Sequence, residues 1–221
     1  MKYEIIESGS KGNAVIFNDI VMVDCGIAFK KLIPYYKNLQ LVLLTHIHSD
    51  HFNKATIKRL AKERPTLRWG CPAWLLVPLV ECGVKTKNID FLCLGGTYQY
   101  AFGTVLSFFL HHDVDNCGYK ITLNTEESIV YATDTCSLPD LPNCDYYFVE
   151  SNYKNTDELA ERMRAKLELG DFAYEKRVAD YHMSEEYVLN WLVKNGKPDS
   201  KHVFLHEHEE KGEKRVDYYA N

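Results

Sequence analysis

The sequence predicts an α/β (α+β) fold, one domain over residues 1–221 in which two sheets pack together and helices cover them outside. Three observations carry this. Strand-like and helix-like stretches come in two successive blocks, strands first and helices after in each. Neither an internal repeat nor a low-complexity linker separates the blocks. A content of 46% hydrophobic and 26% charged residues is that of an ordinary globular chain, and 221 residues suffice for a sizeable core.

The elements follow in order. "KYEIIE", "NAVIF" and "IVMVD" read as short strands joined by tight turns, and a helical stretch runs from Phe29 to Tyr36. "LVLL" is short and continuously apolar, as a strand buried on both faces should be. A helix over Lys54 to Glu63 closes before Pro65, and a strand at "LRWGC" leads into "PAWLLVPLVECG", a helix that Pro78 shortens or kinks. "FLCL", "TYQYAF", "TVLSFFL", "GYKITLN", "SIVYATD" and "YYFVE" form a second strand-rich block. Residues 156 to 194 read as mostly helical, with Ser184 placed to cap the helix "EEYVLNWLVKNG". "HVFLHEH" reads as a last strand, and about 210–221 as a charged, solvated tail.

Composition narrows the function classes. No run approaches the ~18 apolar residues of a membrane span, and "MKYEIIESGS" lacks the apolar core of a signal peptide, so the expectation is no membrane and a cytoplasmic location. The seven cysteines include no C-x-x-C pair, which argues against a disulfide framework or a zinc ribbon. A net charge of −5 gives no global attraction to nucleic acid, although Lys54, Lys58 and Lys62 recur every four residues with Arg59 and Arg64 nearby.

The chemistry concentrates in "THIHSDH". Imidazoles and carboxylates together are ligands for zinc, manganese or iron. His46 and His48, two apart in an extended or turning segment, can hold one ion, and a turn can aim Asp50 and His51 at a second. The spacing differs from H-E-x-x-H, in which a helix places two histidines on one metal. "SGSKGN" puts two glycines and two serines in one turn, which suits either a tight hairpin or a nest of backbone N–H groups for an anion, with Lys11 close by.

T-H-x-H-x-D-H after a buried strand resembles the metal-binding signature of the metallo-β-lactamase fold, an αββα four-layer sandwich of two mixed sheets. The likeness continues in order: Asp24 matches the aspartate that braces the metal loop, His112 the third histidine of the first metal, Asp134 the bridging carboxylate and His206 the last histidine. His111 and His112 point oppositely on a strand end, and the match favours His112; position after "VFL" favours His206 over His208. Within the superfamily, "SGSKGN", "HDVDNCGY", "ESNY" and "HMS" are similar to the WalJ/YycJ-type exonucleases, which resemble ribonucleases Z and J. Tyr153 and Lys154 stand where such enzymes tend to carry His-Asp.

The resemblance implies two divalent ions, zinc or manganese, held by His46, His48, Asp50, His51, His112, Asp134 and His206, with Asp24 behind them. Asp50 and Asp134 are then catalytic, and His182 protonates the leaving oxygen, a task suited to imidazole. Ser10, Lys11, Asn13 and Asn152 are the implied substrate-binding residues. The expected activity is a phosphodiesterase on single-stranded DNA or RNA. Hydrolysis of a cyclic nucleotide comes second, and a catalytically inactive interaction module third. A homodimer is compatible with each.

Overall fold

The computed structural model describes residues 1–141, 143–170 and 175–206. Among these residues, twelve strands form two six-stranded sheets. The first holds β1 (Tyr3–Glu7), β2 (Ala14–Phe17), β3 (Val21–Val23), β4 (Leu41–Leu43), β5 (Arg68–Cys71) and β6 (Ile89–Phe91) in that spatial order. The second, from one edge to the other, holds β12 (Lys201–Leu205), β11 (Tyr146–Glu150), β10 (Ser128–Ala132), β9 (Asn116–Leu123), β8 (Gly103–Leu110) and β7 (Thr97–Tyr100). Both sheets are mixed: β3 to β6 pair in parallel, as do β10, β11 and β12, and the remaining pairs are antiparallel.

The two-residue period of the strands sorts their side chains into three cores. Val15, Phe17, Val21, Val23, Leu41 and Leu43 face the second sheet, where Val105, Ile121, Tyr131 and Phe148 meet them. Their alternates Ile16, Met22 and Val42 turn outward against α1 (Phe29–Leu32), α2 (Lys54–Glu63) and α3 (Leu76–Glu81), through Leu32, Ile57, Leu60 and Leu79. On the far side Val130, Tyr147 and Val149 pack under Val188 and Trp191 of α6 (Glu185–Asn195). The layers are therefore helix, sheet, sheet, helix. Two further helices, α4 (Thr156–Glu168) and α5 (Glu175–Tyr181), precede α6.

Local signals account for most boundaries. Asn18 and Asp19 take left-handed conformations (φ 48° and 64°) in the β2–β3 turn, as a tight hairpin demands. Ser184 caps α6 by accepting from the Tyr187 N–H at 3.1 Å. Pro78 lies inside a helix that is only six residues long and follows a 3₁₀ turn at Ala73–Leu75. Some spans differ from the sequence reading. The helix expected to reach Tyr36 stops at Leu32, and the strand expected at "FLCL" lies at Ile89–Phe91, where Cys71 and Trp69 offer partners. β12 ends at Leu205, while His208 and the expected charged tail lie outside the described residues.

This topology puts the C-terminal ends of β3 and β4 on one edge of the first sheet, and those of β8, β10, β11 and β12 on one edge of the second. Asp24, the "THIHSDH" loop, His112, Asp134, Glu150 and His206 all follow or close these strands.

Candidate active site

The loop after β4 is tied to the rest of the molecule by its backbone. Asn13 N–H donates to the Asp50 carbonyl at 2.7 Å and Cys25 N–H to the His51 carbonyl at 2.9 Å. Gly26 lies so close that a Cβ there would stand 1.6 Å from the Asp50 carbonyl oxygen, so only glycine fits. Asn53 ends the loop by capping α2, accepting from the Thr56 N–H at 3.0 Å.

Asp24 fixes two of the three histidines of this loop, His46 through Thr45 and His51 directly. It is fully buried, and one of its oxygens accepts from the Thr45 N–H at 3.0 Å and the Thr45 hydroxyl at 2.8 Å. The other lies 2.7 Å from His51 Nδ1 and accepts from the Tyr131 hydroxyl at 3.1 Å. Because the Thr45 hydroxyl gives its proton to Asp24, it accepts from His46 Nδ1 at 3.0 Å. His46 and His51 thus both carry their protons on Nδ1, leaving the Nε2 lone pairs directed inward.

Around these lone pairs the other candidates converge. His46, His48 and His112 bring three nitrogens within 4.8 Å of one another; Asp50, His51 and His206 form a second such group, and His46, His51 and Asp134 a third between them. Asp134 Oδ2 lies 3.0 Å from His51 Nε2, and its Oδ1 lies 3.4 Å from His206 Nε2 and 4.0 Å from His112 Nε2. The residues fit a divalent ion on a further ground: His46 Nε2, His112 Nδ1, Asp134 Oδ2 and His206 Nε2 are buried without a hydrogen-bond partner among the described residues.

Electrostatics agree with that fit. Burial, reinforced by the neighbouring His51, holds His46 well below the ordinary imidazole range and keeps its lone pair free. Burial alone would favour the neutral acid at Asp134, but His206 and His51 outweigh it and hold the carboxylate well below its usual range. Burial opposes charge on His51 as well, yet Asp134 and Asp24 raise it well above its ordinary value. A metal ion and a proton compete for that nitrogen.

Three site residues have strained backbones. Asp24, Asp134 and His206 adopt φ of 62°, 57° and 52°, each just past a strand end. Left-handed non-glycine residues cluster at functional sites, where the surroundings over-determine them. At Asp134 the Asn116 side chain supplies this, donating to the carbonyls of Thr133 and Asp134 at 3.0 and 2.7 Å.

His182 lies beside this cluster, with its ring stacked on that of His206 at 5.3 Å and 8° and its Nδ1 4.0 Å from Asp134 Oδ1. Its Nδ1 is 2.9 Å from Glu150 Oε2. Burial opposes a charge on His182, but Glu150 prevails and raises it to about 9. Glu150, which the sequence left unassigned, joins this cluster through His182. It is fully buried, and its other oxygen accepts from the Thr135 N–H at 2.8 Å and the Met183 N–H at 3.2 Å. An acid ending the apolar run "YYFV" was the available signal, since a lone buried carboxylate needs partners.

The four residues implied as substrate-binding divide. Ser10 and Lys11 are exposed on the turn before β2. Asn13 is turned inward instead: its Oδ1 accepts from the Gly9 N–H at 2.8 Å, and its Nδ2 donates to the Gly9 carbonyl and stands 2.8 Å from His51 Nε2. Asn152 is likewise buried, its Nδ2 donating to the His206 carbonyl at 3.3 Å and lying 3.2 Å from His206 Nδ1. Both amides lie against histidines, and Asn152 Oδ1 has no hydrogen-bond partner among the described residues. Ser8, from the same turn, also reaches the site, its hydroxyl accepting from the His206 N–H at 2.7 Å.

Two mixed sheets between helices, with clustered imidazoles and carboxylates at their common edge, support a metal-dependent hydrolase. The model of the beta-lactamase superfamily domain matches residues 20–206, and the chain belongs to that superfamily. Its metallo-β-lactamase fold implies divalent metal ions, commonly zinc.

Solved structures show the same fold. The short form of human tRNase Z is similar with a TM-score of 0.67 and 12% identity, over 94% of this chain and 92% of that one. The metallo-β-lactamase fold protein YhfI from Bacillus subtilis has a TM-score of 0.67 and 17% identity, over 93% and 85%. A long-form RNase Z from yeast has a TM-score of 0.59 and 12% identity, over 90% of this chain and 34% of that one. A search of curated proteins finds no match. Among the described residues, no helix is long and apolar enough to cross a membrane.

Proposed function

We propose that this chain, acting as one domain in the cytoplasm, is a phosphodiesterase that uses two divalent ions, zinc or manganese, to degrade single-stranded DNA from an end, as WalJ/YycJ-type enzymes do. The observation that carries the reading is the His182–Glu150 pair, placed 4.0 Å from the carboxylate that stands between both candidate ion positions. A sugar alkoxide is a poor leaving group, and its departure gains from a positioned acid. The likeness to tRNase Z and RNase Z supports nucleic acid as the substrate class.

When bound, the ions supply charge stabilisation and lower the pKa of water to near neutrality. The chain's own groups do the rest. His46, His48 and His112 would hold one ion and Asp50, His51 and His206 the other, with the Asp134 carboxylate within reach of His46 and His51. Asp24 keeps His46 and His51 in the tautomers that present Nε2. Glu150 accepts from His182 Nδ1 and stabilises the imidazolium, leaving Nε2 to hand a proton to the departing oxygen. The exposed Lys58 and Lys62 of α2 add charge for a strand beyond the site.

A turnover screen with manganese and with zinc tests this, offering labelled single-stranded DNA, RNA, cyclic mononucleotides and a chromogenic phosphodiester. Cleavage of single-stranded DNA is expected. Neutralising Lys58 and Lys62 should lower the dependence of log affinity on log salt by about 1.4 for a single strand. Turnover of cyclic mononucleotides alone would favour a small-molecule phosphodiesterase. Metal binding without any turnover would favour an interaction module.

A further inference from the structure

Two aromatic side chains outside the ligand set stand directly before functional histidines: His111 precedes His112, and Tyr181 precedes His182. The His111 and Tyr181 rings lie near-parallel, 6.2 Å apart between centroids and 28° from coplanar, and Tyr181 and His112 meet edge-to-face at 5.8 Å and 85°. His111 is exposed and Tyr181 half-buried, so the pair forms part of the rim of the site.

Both rings are carried on fixed backbone. The His111 N–H donates to the Thr135 hydroxyl at 3.1 Å, and its carbonyl accepts from the Cys136 N–H at 3.3 Å. Tyr181 ends α5, which Val178 anchors in the core, and the next residue is held by Glu150. Arg177, one turn before Tyr181, forms an ion pair with Asp113, two residues after His111, and so ties the two ring-bearing segments together.

We infer that His111 and Tyr181 form an aromatic clamp for an unpaired nucleobase next to the scissile phosphodiester, so that the site accepts single-stranded ends and rejects paired ones. This rests on the nucleic-acid reading above. Burial explains neither ring, since each keeps surface open to solvent beside the clustered histidines. Every base has a π-face, so stacking holds a strand without reading its sequence. A base needs about 7 Å between ring planes, twice the carbon–carbon contact distance, so the exposed His111 side chain must swing away from Tyr181 to admit one. A base inside a duplex has both faces stacked and a terminal paired base has one, so neither can enter between two rings without unstacking.

The test is equilibrium binding of the full-length, metal-loaded protein to two fluorescein-labelled single strands of equal length, both with phosphorothioate linkages to slow cleavage. One carries bases and the other is abasic. The wild type should prefer the base-bearing strand by roughly five- to 150-fold per stacked base. Tyr181→Leu and His111→Leu should each bring that preference towards one with metal content unchanged, and Tyr181→Phe should retain it. Equal wild-type affinity for the two strands would overturn the clamp while leaving the nucleic-acid reading intact. So would an undiminished preference in both leucine variants, or a loss of affinity for both strands that tracks lost metal. Binding of neither strand would overturn the nucleic-acid reading, and the clamp with it.

Discussion

The two ends of strands β10, β11 and β12 treat charge in opposite ways. At their C-terminal ends Asp134, Glu150 and His206 are buried, and Asp134 and His206 are held in left-handed backbone. Asp134 Oδ2 and His206 Nε2 there have no hydrogen-bond partner among the described residues. At the N-terminal ends Asp145 is fully engaged: it accepts from the Ser128 N–H and hydroxyl at 2.8 and 2.7 Å and from Lys197 at 2.7 Å. Its side chain is 34% exposed and that of Lys197 41%, so solvent shares the charge. One end satisfies its polar groups cheaply, and the other keeps groups unsatisfied and strained where an ion and a substrate would meet them. In a parallel sheet the C-terminal edge is where sites form, and here the energetic asymmetry follows the same direction. Changes at the site end should therefore reduce chemistry, and changes at the opposite end should reduce only stability.

Among changes that leave the metal bound, the largest effect should come from His182→Ala. It should keep bound metal yet lower turnover of a DNA diester by about 10²–10⁴, with little loss on a nitrophenyl diester whose leaving group departs without help. Glu150→Gln should show the same dependence on the leaving group at smaller size. Equal losses on both substrates, measured as kcat alongside metal content and melting temperature, would show that the pair does not act as a general acid.

Asp24→Asn comes next. Asparagine tolerates the φ of 62° but can donate where Asp24 only accepts, which disturbs the tautomers of His46 and His51. Metal affinity should fall by about 10–100-fold, read by competition with a chelator. Unchanged affinity would mean that the Thr45 and Asp24 bonds do not orient the ligands.

The smallest effect belongs to the opposite end. Lys197, joined by the Ser128 bonds, depresses the Asp145 carboxyl to about 2. A depressed acid contributes stability that is full above its ordinary value near 3.8 and is lost as pH falls through about 2. Asp145→Asn should lower Tm by about 2 °C at neutral pH, and the difference should close on acidification toward pH 2, with kcat unchanged. A change in kcat would break the division of labour between the two ends.

The same contrast explains what the sequence made legible. Residues 46–51 announced themselves because four ligand-type side chains crowd one loop, and the period-two strands on either side specified the sandwich. Glu150 did not, because its partners Thr135, Met183 and His182 are distant in sequence and only the parallel pairing of β10 with β11 brings the first of them near. The resemblance implied Asn13 and Asn152 as substrate-binding, whereas their burial and their contacts with His51 and His206 come from elements far apart in sequence and could not be read from it. The position of β6 was misjudged because the stretch from Ile89 to Leu94 is apolar enough for either register, and the neighbouring β5 decides it.

The most direct test of the central claim is a metal titration of the stripped protein, following ion uptake and cleavage of a single-stranded DNA end in the same samples, for the wild type and Asp134→Ala. The wild type should take up two ions per chain and gain activity in step with uptake, and Asp134→Ala should lose occupancy at both positions and the activity with it. Full cleavage by the stripped protein, or full two-ion occupancy in Asp134→Ala, would contradict the account.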